Sequence, residues 1–80
     1  MAEDINRTVR DIMSQTLNRP IGNDEQLART QAPEWDSLKH VQIMFSLEDA
    51  FEMRFDESEL RSLDSIDAII KAIERHQRKS

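Results

Sequence analysis

The chain has 80 residues, of which 38% are apolar and 34% charged, so it has room for one small domain with one hydrophobic core. It holds no cysteine, one glycine and two histidines, which excludes a disulfide frame, a thiolate zinc site, a cysteine nucleophile and a glycine-rich phosphate loop. The net charge of −5 is uneven: residues 34–67 hold ten Asp or Glu against Lys39, Arg54 and Arg61, a balance of −7, which argues against nucleic acid or an anionic membrane as partner and suits a protein with a basic patch.

The first predicted element is a helix over about residues 3–17, where Ile5, Val9, Ile12, Met13 and Leu17 share an arc of roughly 140° at 100° per residue. Arg7, Arg10, Asp11 and Gln15 are expected to face out, and Pro20 stops the helix by restricting Arg19. This opening segment is charged and amphipathic, with no apolar core of a signal peptide, and no apolar run approaches a membrane span. The expectation is a cytoplasmic monomer.

Residues 18–36 form a long connection that contains Gly22, Pro20 and Pro33, and a loop of this length usually carries function or local order of its own. Asn23 to Leu27 is expected to make a short helical turn, with Ile21, Leu27 and Trp35 as anchors to the core. Asp36-Ser37 then opens a second helix, over about residues 37–53. Its apolar residues Leu38, Val41, Ile43, Met44, Phe45, Leu47 and Phe51 spread over roughly 220° of the wheel, too wide for packing on one side. Such a helix either contacts several others or lines a space between them. Glu48 lies inside that arc and is expected to reach out at its edge, because a buried lone carboxylate is costly.

Asp56 and Glu59 have capping-box spacing, and Phe55 and Leu60 have staple spacing, so a short helix is predicted over about residues 56–62. Asp64 or Ser65 caps a last helix, about residues 65–77, with Ile66, Ile69, Ile70 and Ile73 on one side. Arg75, His76, Arg78 and Lys79 gather at its C-terminal end, where positive charge suits the helix dipole. With no β-alternation and no repeat, residues 1–80 read as a single all-α bundle of three main helices and one short one.

Ser37 is the residue with chemistry in reach. It stands at a helix mouth, where backbone N–H groups are unpaired and the dipole favours an anion. One reading makes it a helix cap or the neighbour of the cap Asp36. A hydrolytic reading has His40 one turn away as base, but it also needs an orienting group, oxyanion donors and a pocket, for which this chain offers little. A metal site is disfavoured too, because His40 and His76 lie on different helices and Asp56, Glu57 and Glu59 lack the spacing of a calcium loop. No catalytic residue and no metal ligand is expected.

Asp36-Ser37-Leu38 opening an amphipathic helix, followed by Glu48-Asp49-Ala50-Phe51, Phe55-Asp56 and Ser65-Ile66-Asp67-Ala68-Ile69-Ile70, resembles the acyl carrier protein family, over nearly the whole chain. The resemblance implies that the Ser37 hydroxyl receives 4′-phosphopantetheine from coenzyme A through a phosphopantetheinyl transferase and Mg²⁺, with Asp36 the acidic residue that this step recognises. The arm would supply the thiol that the chain lacks and carry an acyl, polyketide or aminoacyl group as a thioester. Leu38, Val41 and Phe45 would be read by partner enzymes or line an acyl cavity, and Leu47 and Phe51 would face the core. Primary fatty-acid carriers usually have Gly-Ala before Asp-Ser-Leu, where this chain has Glu34-Trp35, and their second helix is densely acidic where this one has Lys39, His40 and Gln42. These departures point to a specialised discrete carrier, with Trp35 as a core plug. Partner recognition is then expected from Leu38, Val41, Glu48, Asp49, Glu52, Asp56 and Glu57, and Lys39 or His40 is placed to steady the phosphodiester. The rival reading is a helical interaction module of the same fold that is never modified.

Overall fold

The structure is a computed structural model that describes the backbone of residues 2–79 and the side chains of residues 4–78. Among the described residues it is all-α: α1 (Ala2–Leu17), α2 (Ser37–Phe51), the short α3 (Glu57–Ser62) and α4 (Ile66–Lys79). The basic side chain expected of Lys79 lies outside the described residues.

The amphipathic stripes find one another. Ile5, Val9, Met13 and Leu17 of α1 are buried against α2 and α4, where they meet Ile43, Met44 and Leu47 and the Ile66, Ile69 and Ile73 face. Asn18 ends α1 in the left-handed region, at φ 56°, and the Arg19 N–H returns to the Ser14 carbonyl at 3.1 Å. Glu52 does the same for α2, at φ 51°, with the Met53 N–H on the Glu48 carbonyl at 3.0 Å. The expected extension of α2 to residue 53 is therefore wrong: the left-handed residue turns the chain out of the helix after Phe51.

α3 has the predicted capping box, in which Asp56 Oδ1 accepts from the Glu59 N–H at 2.9 Å and Glu59 Oε1 from the Asp56 N–H at 3.0 Å. Ser65 is the residue that caps α4, accepting from the Ala68 N–H at 3.1 Å, so α4 starts one residue later than expected. It also runs past residue 77, to Lys79. His76 is more than a helix-end charge: its Nε2 reaches Glu59 at 2.8 Å, and its ring meets Phe55 edge-on, tying α4 to the start of α3.

The long connection is ordered by hydrogen bonds at both ends. Asn23 to Leu27 is not a helical turn; Gly22 to Glu25 makes a tight turn, with the Glu25 N–H on the Gly22 carbonyl at 3.1 Å. Helical geometry comes later, in a 3₁₀ turn at Arg29–Gln31. Ala28 pairs with Ser65 in an isolated antiparallel bridge, closed by Arg29 N–H to Asp64 O at 2.8 Å and Ile66 N–H to Leu27 O at 3.0 Å. Leu27 and Trp35 are buried and Ile21 half-buried, as their spacing predicts.

Arg10 overturns its expected outward placement. It is 5% exposed, its Nε donates to Asn6 Oδ1 at 2.7 Å, and its Nη1 donates to the carbonyls of Gly22 at 2.6 Å and Glu25 at 2.5 Å. Loop carbonyls against a helix need donors, and a guanidinium at the margin of the apolar stripe supplies several in a fixed fork.

Candidate functional site

The site is built where the long connection runs into α2. Asp36 is the cap: its backbone is extended, and Oδ1 accepts from the Lys39 N–H at 2.9 Å. Ser37 is therefore the first helical residue and not the cap, so its hydroxyl is exempt from capping and lies exposed. Arg29 reaches it, with Nη2 donating to Ser37 Oγ at 3.1 Å. Arg29 is itself steered by its Nε–H, which donates to the Trp35 carbonyl at 3.2 Å.

Trp35 holds this arrangement from beneath. Its indole is 2% exposed and donates from Nε1 to His40 Nδ1 at 3.1 Å, with the two rings stacked at 6.0 Å between centroids. An indole N–H is a donor and nothing else, so Nδ1 of His40 must be the bare nitrogen. Nε2 then carries the hydrogen and donates to the Leu60 carbonyl at 2.8 Å. Both nitrogens are committed, and the ring is 9% exposed. A Ser37–His40 dyad is excluded by this geometry, and so is the expected use of His40 at a phosphodiester. His40 instead locks the first turn of α2 to the connection and to α3.

The wide apolar arc of α2 resolves into two stripes. Ile43, Met44 and Leu47 are buried and Phe51 is half-buried against the core. Leu38, Val41 and Phe45 are 66%, 46% and 64% exposed, on a line centred roughly 140° away at 100° per residue. They form an open apolar strip running from Ser37 along the helix, which is the arrangement the expectation of reading by partners asks for. At its far end a shallow groove of about 480 Å³ is lined by Phe45, Glu48, Asp49, Glu52, Met53 and Arg54.

The acidic residues named for partner recognition divide by what they touch. Asp49 and Glu52 are exposed and border that groove. Glu48 stays at the edge, as expected, but its Oε2 accepts from the Phe55 N–H at 2.9 Å, so it braces the turn after α2. Asp56 is committed to the α3 capping box, and Glu57 is exposed beside Arg61, at 3.5 Å. A further open groove, of about 420 Å³, is lined by Arg29, Thr30, Ala32, Pro33, Trp35, Arg61 and Asp64.

Sequence reasoning missed Arg29, because nothing in a lone arginine eight positions before a serine announces contact. The available signal was charge: Arg29 is the one basic residue in the ten before the strongly acidic segment 34–67. Among the described residues no group of three or more His, Asp or Glu is placed to hold a metal ion, and no helix is long and apolar enough to cross a membrane. Comparison with protein-family models, with curated proteins and with solved structures found no match.

Proposed function

We propose that this chain is an acyl carrier protein whose working part is a 4′-phosphopantetheine arm on Ser37. The observation that carries this reading is an exposed hydroxyl on the first residue of α2, free of capping duty because Asp36 performs it, and already met by a guanidinium. An anion at that position has a favourable helix dipole and a cationic donor beside it. The residues therefore fit a phosphodiester.

In the loading step a phosphopantetheinyl transferase, with Mg²⁺, directs Ser37 Oγ onto the phosphorus of coenzyme A that bears pantetheine. The Oγ–P bond forms, the phosphoanhydride bond breaks, adenosine bisphosphate leaves with the electron pair, and the hydroxyl proton passes to the transferase. Asp36 keeps Oδ1 on the Lys39 N–H, and its exposed carboxylate would be the acidic group that the transferase recognises. When bound, the arm supplies the thiol on which an acyl, polyketide or aminoacyl group travels as a thioester.

The chain's own role is presentation. Leu38, Val41 and Phe45 form an apolar strip beside the attachment point, and Asp49, Glu52 and Glu57 are exposed carboxylates for a partner's basic patch. Loading and acyl-transferring enzymes with that complementary surface are the partners this reading assigns. Intact mass after incubation with coenzyme A and a broad-specificity transferase tests it: a carrier gains phosphopantetheine at Ser37. An unmodified interaction module, the rival, keeps its mass while folded.

A further inference from the structure

Arg29 is half-buried and is held through both its backbone and its guanidinium. Its backbone is fixed in the bridge to the start of α4, through its N–H on the Asp64 carbonyl at 2.8 Å. Its Nε–H is taken by the carbonyl of buried Trp35, and Nη2 is aimed at Ser37 Oγ. Arg19, Arg61 and Lys71 each pair with a carboxylate, whereas among the described residues no carboxylate pairs with Arg29 and Nη1 has no partner. In a chain of net charge −5 this is an uncompensated guanidinium delivered to one hydroxyl.

We infer that Arg29 is the positioning residue for the phosphate esterified to Ser37, a claim that rests on the carrier reading above. The oxygens of a phosphate on Oγ lie one bond beyond the atom that Nη2 already contacts. A small turn about the guanidinium places Nη1 and Nη2 on two of them in the planar fork that arginine forms with phosphate and lysine cannot. Held this way, the ester is turned toward the groove bounded by Thr30, Pro33, Trp35 and Arg61 and away from the strip Leu38–Val41–Phe45. The apolar strip is left clear for a partner while the arm's first atoms are fixed.

The experiment is phosphorus NMR of the loaded protein, with intact mass recorded on every sample. Wild type, Arg29→Gln, Arg29→Lys and Lys71→Ala are each loaded from coenzyme A and checked for melting temperature. The phosphodiester resonance of Arg29→Gln should move by more than its linewidth and sharpen as the ester becomes mobile. Arg29→Lys should fall between it and wild type, and Lys71→Ala, whose ammonium pairs with Asp67, should match wild type. A loaded, folded Arg29→Gln protein with the wild-type resonance overturns the assignment and leaves the carrier reading standing. Folded wild type that gains no mass overturns both. Should Arg29→Gln fail to fold, the wild-type protein decides: the Arg29 guanidinium nitrogen resonances must shift on loading, and unchanged resonances refute the claim.

Discussion

Replacing His40 with alanine tests whether the histidine nearest Ser37 is structural. The substitution leaves the Trp35 indole N–H and the Leu60 carbonyl without the partners they have at 3.1 and 2.8 Å, and opens a void beside the stacked indole. An unsatisfied buried polar group costs about 1–3 kcal/mol, with the half-buried Leu60 carbonyl toward the low end. With lost packing added, the total is about 3–4 kcal/mol. A domain of this size has roughly 4–12 kcal/mol of stability in all, so the melting temperature should fall by about 15 °C or more. Thermal and urea unfolding followed by circular dichroism measure this, and a double-mutant cycle with Trp35→Phe should return a coupling of about 1–2 kcal/mol. Nitrogen NMR of the wild-type ring should show Nδ1 bare and Nε2 protonated. Below its melting point the His40→Ala protein should still accept phosphopantetheine at the wild-type rate per folded molecule. A loss of stability under about 0.5 kcal/mol, or an additive cycle, refutes the reasoning.

Arg10→Met keeps the packing of α1 but strips donors from the Gly22 and Glu25 carbonyls, and should cost about 2–4 kcal/mol, with faster hydrogen exchange in the turn between them. Asp36→Ala should cost about 0.5–2 kcal/mol in chemical unfolding through loss of the cap, whereas Ser37→Ala should fold with a change under about 0.5 kcal/mol and be unloadable. Asp49→Lys combined with Glu57→Lys touches no buried contact, so unfolding should be unaffected within about 0.5 kcal/mol while transfer to or from a partner enzyme slows. Unchanged transfer kinetics at low salt would remove the acidic face from the account.

The helices were legible because each carries its own signal: the stripe of α1, the capping box of Asp56 and Glu59, and the isoleucine face of α4. Their ends were less so. α2 stops where Glu52 takes a left-handed conformation, which sequence reserves for glycine or asparagine and which a glutamate does not advertise. The connection was opaque for a different reason. Its order comes from long-range partners, Arg10 on the Gly22 and Glu25 carbonyls and Ala28 on Ser65, and periodicity is blind to those. Arg10 stands only about 20° past the edge of the α1 stripe at 100° per residue, close enough for its head to turn inward when carbonyls await it. At the candidate site, Asp36, Ser37 and the buried Trp35 followed from motif and composition. The partition of α2 into inner and outer stripes, and the roles of His40 and Arg29, depend on which elements lie above and below the helix, which only the fold decides.

The most direct measurement is the intact mass of the folded protein and of folded Ser37→Ala, each incubated with coenzyme A, Mg²⁺ and a broad-specificity phosphopantetheinyl transferase. Wild type should gain one phosphopantetheine per chain, mapped by fragmentation to Ser37, and Ser37→Ala none. A folded wild-type chain that keeps its original mass, or the same gain in both proteins, contradicts the assignment of that hydroxyl as the tether.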